Sequence, residues 1–386
     1  MKLFELISLF TYSLTKLIPK KKNRWIFGAW FGTAISDNTK AISDYIENNY
    51  PEIEMIWITN YPEKISLKHG IAVKRNSIES LKYIVTAKVA IMNQGFGDFN
   101  AYNFLGGCYK VQLWHGVTWK KIFRDVIDSS TTFNGKIYDR IFNYINQYDL
   151  YLSPSDMQTK IIQTAFHTNV NKVLQCGQPR NVVLFSKDYR AKCRKKLFKE
   201  FNIKEKKVVV YMPTFRDREE EVFSFGLPDI VKILKSIENK YNFILIEKSH
   251  YATQKKSEKK YKNEEGLYFM PNQKAEFLLS VADILITDYS SCFFDFLITD
   301  RPIIHYIYDY EYYVNEDRGV YYKKEEVLCG DAPENEVDLW NAIIDNLSYP
   351  EKNAKLRKKQ RTKFVTYESS KNNEKVFAAI QEGIKI

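Results

Sequence analysis

Residues 24–59 read RWIFGAWFGTAISDNTKAISDYIENNYPEIEMIWIT. An apolar run (Trp25–Phe27) gives way to glycines, then to an amphipathic segment from Asp37 to Tyr50, then to a second apolar run (Met55–Ile58). Strand, helix, strand is the repeating unit of an α/β domain with a mostly parallel sheet. The rhythm continues through SIESLKYIVTAK, VAIMNQ, KVQLWHG, DLYLSPS and KVLQCGQPRN, to about residue 183. A basic stretch, KDYRAKCRKKLFKEF, then leads into a second series: KVVVYMPTFRD, DIVKILKSIENKY, NFILIEKSH, KAEFLLSVA, DILITDYSSCFFDFLIT and RPIIHYIYDY. The rhythm restarts, and 386 residues exceed what one hydrophobic core usually serves. The expectation is therefore two α/β domains, residues 23–185 and 186–386, with a site in the cleft between them.

Composition narrows the partners. Lys and Arg number 58 against 47 Asp and Glu, a net +11 that favours phosphorylated substrates, acidic lipids or nucleic acid. Five scattered cysteines without a C-x-x-C pair fit neither a disulfide framework nor a structural zinc site, and point to a reducing compartment. No run approaches the ~20 apolar residues that span a bilayer. Residues 1–22 place Leu3, Phe4, Ile7, Phe10, Leu14 and Leu17 at helical spacing ahead of Lys20, Lys21 and Lys22, without a signal-peptide cleavage site. That pattern suits a helix lying in an anionic membrane interface, or one packed on its own domain.

In open α/β sheets the reactive groups gather at the C-terminal ends of strands. Gly28 and Gly32 follow the first strand, where glycine permits close approach of a ligand or simply a tight turn. His115 ends KVQLW; an imidazole there is a candidate general base or a strand cap, with Lys120 and Lys121 beside it as candidate anion contacts or solvated lysines. Arg180 in GQPRN and Arg216 in PTFRD carry guanidinium groups suited to bidentate phosphate contacts or to salt bridges. In DILITDYSSCFFDF a buried strand runs into Asp288, Ser290 and Ser291 at a helix start, the geometry of an anion site or of a plain N-cap, and Asp295 one turn further in is placed to reach a ribose hydroxyl or to complement the helix dipole. His250 ends the strand NFILIEKS, whereas His69, His167 and His305 are assigned no catalytic role.

Taken together, NRWIFGAWFG...SDN, QLWHG, SPSD, GQPRN, PTFRD and TDYSSCFFDF...RPIIHY...DRG, in that order, resemble the CDP-glycerol glycerophosphotransferase family of teichoic-acid and capsule synthesis, from about Asn23 to Tyr367. The resemblance implies two Rossmann-like domains in a GT-B arrangement, peripheral attachment at the cytoplasmic face of the membrane, and metal-independent, cofactor-free transfer of a polyol phosphate. It matches the family's WHG histidine to His115 and a second histidine to His250, where Tyr251 replaces the family's proline. It makes Ser290 and Ser291, after Asp288, the donor phosphate site. TYESSKNNEKVFAAI departs from the family's usual acidic-glycine tail, and the chain lacks the N-terminal extension of the larger polymerases, which favours a primase-like or single-domain-pair transferase.

The expected chemistry is attack of an acceptor hydroxyl on the β-phosphate of CDP-glycerol or a related CDP-polyol, with CMP leaving and a lipid-linked glycan as acceptor. His115 would take the hydroxyl proton while His250, Arg216 and the serine turn stabilise charge. A GT-B glycosyltransferase using a nucleotide sugar is the alternative. A third reading, a polyanion-binding protein built on KLRKKQRTKF, predicts one basic aromatic face, and no nucleic acid is expected as partner.

Overall fold

The computed structural model describes residues 3–126, 143–214, 223–248, 263–311 and 319–385. Arg216, His250 and the DR of DRG lie outside the described residues. The chain forms two compact units: Met1–His115 with Ile122–Val182 and Thr366–Ile386, and Gly116–Lys121 with Val183–Val365.

In the first unit, helix α1 (Leu3–Thr15) precedes β1 (Lys21–Phe27), α2 (Asp37–Asn49), β2 (Glu54–Thr59), β3 (Gly70–Lys74), α3 (Ile78–Thr86), β4 (Ala87–Met92), β5 (Tyr109–Gln112), β6 (Leu150–Ser153), α4 (Asp156–Phe166) and β7 (Val173–Gln175). The seven strands are all parallel, in the order β3-β2-β1-β4-β5-β6-β7. Trp25, Phe27, Trp57, Val89 and Ile91 are buried, as expected of central parallel strands covered on both faces.

In the second unit, α5 (Lys187–Glu200), β8 (Lys207–Met212), α6 (Pro228–Tyr241), β9 (Phe243–Glu247), β10 (Leu267–Phe269), α7 (Ala275–Val281), β11 (Ile284–Thr287), α8 (Cys292–Phe296) and β12 (Ile303–His305) build a five-stranded parallel sheet ordered β10-β9-β8-β11-β12. Helices α9 (Lys324–Val327), α10 (Glu336–Ser348) and α11 (Ala354–Phe364) follow, and Leu339 and Ile343 of α10 close the core over Val209, Leu245 and Ile286. The last helix, α12 (Asn372–Gly383), was read from sequence as part of the second half. It packs in the first unit instead, because Phe377 stacks on Tyr50 at 3.8 Å and, with Val376 and Ile380, joins the core around Trp25.

The basic stretch of α5 has a structural use. Arg190 donates to the carbonyls of Ser280 and Ala282, Arg194 to Val281, and Arg301 to Leu279, so three guanidinium groups cap the C-terminus of α7 while Asp283 pairs with Arg190 and Arg194.

Helix α1 docks by its polar face. Glu5, Ser8, Tyr12 and Thr15 are buried, Thr11 Oγ1 donates to Asn103 O at 2.8 Å and Lys110 Nζ to Tyr12 Oη at 2.8 Å. Its apolar side chains Phe10 and Leu14 point outward, 67% and 51% exposed, and Leu17 in the turn that follows is 81% exposed. Lys20, expected to face head groups, is turned inward and donates to Thr15 O and Val85 O, and burial lowers its pKa; Lys21 and Lys22 are exposed. Among the described residues no helix is long and apolar enough to cross a membrane.

The seat of α1 is tight at Gly106, where a Cβ would fall 1.9 Å from Tyr12 O and 2.7 Å from Thr15 Oγ1. Gly106→Ala is therefore expected to lift α1 from the unit and destabilise it by about 1–3 kcal/mol. Urea unfolding measures the loss, and limited proteolysis should cut sooner within residues 1–22; unchanged cleavage would mean that α1 is not held by this contact.

Candidate active site

The first sheet reverses its strand order between β1 and β4, and the loops that leave the carboxyl ends of β1, β4 and β5 meet there. Four of the ten non-glycine residues with positive φ among the described residues fall in this region: Trp30 (51°), Phe31 (54°), Asp37 (68°) and Trp114 (55°). Each such backbone costs about 1–3 kcal/mol and persists only where its surroundings enforce it.

The enforcing contacts are hydrogen bonds. Buried Asp98 accepts from the backbone N–H of Phe31 (2.7 Å), Asn93 (3.0 Å) and Gln94 (2.9 Å). Burial pushes its carboxyl up to about 6, against the pull of those same N–H groups. Asn93 Oδ1 accepts from Trp30 N and its amide donates to Asp37, while Asn38 Nδ2 donates to Trp114 O.

His115 stands at the centre of these contacts. Its ring lies 4.2 Å from the Trp114 ring and 5.2 Å from that of Trp30, centroid to centroid. Nδ1 is 3.4 Å from both Asn93 O and Gln94 Nε2. Donation to the Asn93 carbonyl places the proton on Nδ1 and makes Nε2 the acceptor of the ring. Burial lowers the His115 pKa from its ordinary value, with Asp37 opposing, so the imidazole is neutral near pH 7.

Arg180 serves this cradle. Its Nη1 donates to His115 O at 2.9 Å and pairs with Asp37, both side chains being nearly buried. Gln178 and Asn181 are fixed from the C-terminal segment: Glu368 accepts from Gln178 N (2.9 Å), Asn181 Nδ2 (2.9 Å) and Asn372 Nδ2 (2.7 Å). Gly28 and Gly32 are glycines for the protein's own packing. A Cβ at Gly28 would lie 2.9 Å from the Phe99 ring, and at Gly32, with φ of 76°, 2.6 Å from Arg75 Cδ.

The second sheet reverses between β8 and β11, and Asp288 ties those two strand ends together. Its buried carboxylate accepts from Thr214 N and Oγ1 and from the N–H of Tyr289 and Ser290. An acidic group so engaged positions the turn and is unsuited to contact phosphate itself. Ser291, the N-cap of the five-residue α8, makes no side-chain capping bond, and Ser290 Oγ accepts from Cys292 N at 3.5 Å. Asp295 is buried within α8.

Lys120 and Lys121, read as acceptor-side, belong to the second unit: Lys120 bridges Val320, and Lys121 N donates to Gly319 O. Trp119 anchors them, with its ring 5.9 Å from Tyr289 and Nε1 donating to Tyr322 O. His305 is buried and donates no chemistry; its Nε2 accepts from Cys329 N, and burial lowers its pKa to about 4.

The structure thus gathers His115, Arg180, Gly28 and Gly32 in one unit and Asp288, Ser290, Ser291, Asp295, Lys120 and Lys121 in the other. Asn93, Asp98, Gln178 and Glu368 were not singled out in the sequence, which carries no local mark of partners up to 190 positions away.

A family model described as CDP-glycerol:poly(glycerophosphate) glycerophosphotransferase matches residues 10–382. The teichoic acid glycerol-phosphate transferase of Staphylococcus aureus is 31% identical, over 86% of this chain and 86% of its own length. The teichoic acid poly(glycerol phosphate) polymerase of Bacillus spizizenii is 30% identical, over 88% and 87%. Among solved structures, the wall teichoic acid polymerase TagF superposes with a TM-score of 0.81 at 25% identity, covering 98% of this chain and 94% of that one.

Removing one member of a buried pair strands the other. Asp37→Ala should destabilise the protein by about 3–5 kcal/mol, and the double variant Asp37→Ala/Arg180→Met by clearly less than the sum of the two singles. Denaturant unfolding of the four proteins checks the coupling; additive losses would deny it.

Proposed function

This chain belongs to the CDP-glycerol:poly(glycerophosphate) glycerophosphotransferase family, and from that premise we propose that it transfers glycerol phosphate from CDP-glycerol to a hydroxyl of a lipid-linked or polymeric glycan in teichoic-acid synthesis. The observation that carries the reading is His115, an imidazole at a strand end that burial keeps neutral and whose Nδ1 lies 3.4 Å from the Asn93 carbonyl. In the step, the acceptor oxygen forms a bond to the β-phosphorus while its proton passes to His115 Nε2. The bond from that phosphorus to the bridging oxygen breaks, and CMP leaves with the electron pair.

The donor is assigned to the second unit, Gly116–Lys121 with Val183–Val365, as a GT-B partner of the first across a cleft. The Ser290 and Ser291 hydroxyls are the donor-phosphate contacts on that side, and the serine that caps α8 without using its hydroxyl supports this. Arg216 and His250 complete the proposed charge stabilisation. A TagF variant soaked with CDPG is a structural neighbour of this chain, with a TM-score of 0.80 at 25% identity, and is consistent with a CDP-linked donor.

Attachment to the cytoplasmic face of the membrane is proposed through α1. A helix that buries Glu5, Ser8 and Thr15 and shows Phe10 and Leu14 to the outside, with Leu17 exposed in the turn that follows, has its apolar stripe available to lipid. Lys21 and Lys22 add roughly 1 kcal/mol each near an anionic surface.

Two outcomes are expected. Because the active imidazole is the neutral form and its pKa is lowered, the acid limb of kcat/KM should have its midpoint below pH 6.5. His115→Ala should lose about 10²–10⁴ in rate with CDP-glycerol affinity retained, read by CMP release and calorimetry. Wild-type rates in a folded variant would return His115 to a strand cap.

For the membrane, Phe10→Ser/Leu14→Ser should reduce co-sedimentation with anionic vesicles and slow reaction with membrane-embedded acceptor, at little change in unfolding free energy. Undiminished sedimentation would place the contact elsewhere.

A further inference from the structure

Phe31 is held with its apolar ring half in solvent. It is 53% exposed, and its backbone sits at φ 54°, φ/ψ space that a phenylalanine avoids. Asp98 fixes its N–H at 2.7 Å, and one edge of the ring rests on Gly97, where a Cβ would come within 2.9 Å of Cδ1 and 3.1 Å of Cε1. A bare glycine under the ring and a buried carboxylate behind its amide fix one side of the phenyl and leave the other to solvent. The preceding residue, Trp30, touches the His115 ring. An exposed apolar ring would relax inward if nothing opposed it; here the backbone is strained to keep it out, beside the candidate base.

We propose that Phe31 is an acceptor subsite that takes the apolar face of a sugar ring, so that the preferred acceptor ends in a glycoside and not in a polyol phosphate chain. This rests on the glycerophosphate-transfer reading and specifies its acceptor. The chemistry favours a pyranose. Its axial C–H bonds form a flat apolar patch that matches the negative π face of a phenyl ring, and docking there removes apolar surface of both from water. A polyol phosphate end is flexible, has no flat apolar face, and brings an anion that the π face repels.

The test uses the full-length protein with CDP-glycerol and two acceptors on the same short alkyl anchor, a diphosphate-linked disaccharide and a glycerol phosphate trimer. In Phe31→Ala the KM for the disaccharide should rise about tenfold relative to that for the trimer, and Phe31→Trp should restore the wild-type ratio. An unchanged KM ratio overturns the proposal, as does a loss confined to vesicle co-sedimentation, which would make the ring a lipid contact. Calorimetric binding of the disaccharide without donor decides the subsite even if wild-type protein transfers nothing. Absent transfer sinks the parent reading, whereas equal disaccharide affinity in wild type and Phe31→Ala sinks the subsite.

Discussion

The pair formed by Arg180 and Asp37 holds the first unit's site in register. It joins the loop after β7 to the start of α2, and through His115 O it fixes the residue after Trp114. Burying two charges is costly, and such a pair adds little net stability compared with an apolar substitute. Its effect is on geometry. With Asp37 also receiving the Asn93 amide, the loops from β1, β4, β5 and β7 can adopt few arrangements that satisfy every donor. The strained backbones at Trp30, Phe31 and Trp114 persist because of that over-determination.

Net charge is a poor guide to where an anion binds in this chain. Arg190, Arg194 and Arg301 serve a helix terminus, Arg24 pairs with Glu54, and Lys20 donates to main-chain carbonyls. Arg180, which the sequence offered as a diphosphate contact, faces a carboxylate. A guanidinium group after a Gly-x-Pro turn is visible in sequence, but its partner, 143 positions earlier, is not.

What was legible followed from local pattern. Continuous apolar runs such as Ile284–Thr287 became parallel strands, and His115 and Ser290 came out beyond the carboxyl ends of β5 and β11. What was illegible depended on distant contacts. Gly28 and Gly32 were read as room for a ligand or as a tight turn, and the neighbours that a Cβ would meet there, Phe99 and Arg75, are far off in the sequence. The assignment of Thr366–Ile386 to the second half failed on the aromatic stack of Phe377 and Tyr50, which no periodicity announces. The N-terminal helix was read correctly as amphipathic, but which face meets the protein depended on Asn103 and Lys110.

The two units use one device at the point where strand order reverses, a buried aspartate that gathers backbone N–H groups. In the first unit Asp98 consumes the N–H groups of Phe31, Asn93 and Gln94. Such clustered donors are what a phosphate would seek, and a carboxylate in their midst both occupies them and repels a second anion. In the reaction proposed above, such a loop disfavours an anion and suits a neutral acceptor hydroxyl beside His115. In the second unit Asp288 spends its oxygens on Thr214, Tyr289 and Ser290, and the hydroxyl of the next residue, Ser291, takes no part in capping. On the proposed division of donor and acceptor, the group this turn leaves for a phosphate is therefore the Ser291 hydroxyl at the start of the five-residue helix, and not the N–H groups that the aspartate already holds.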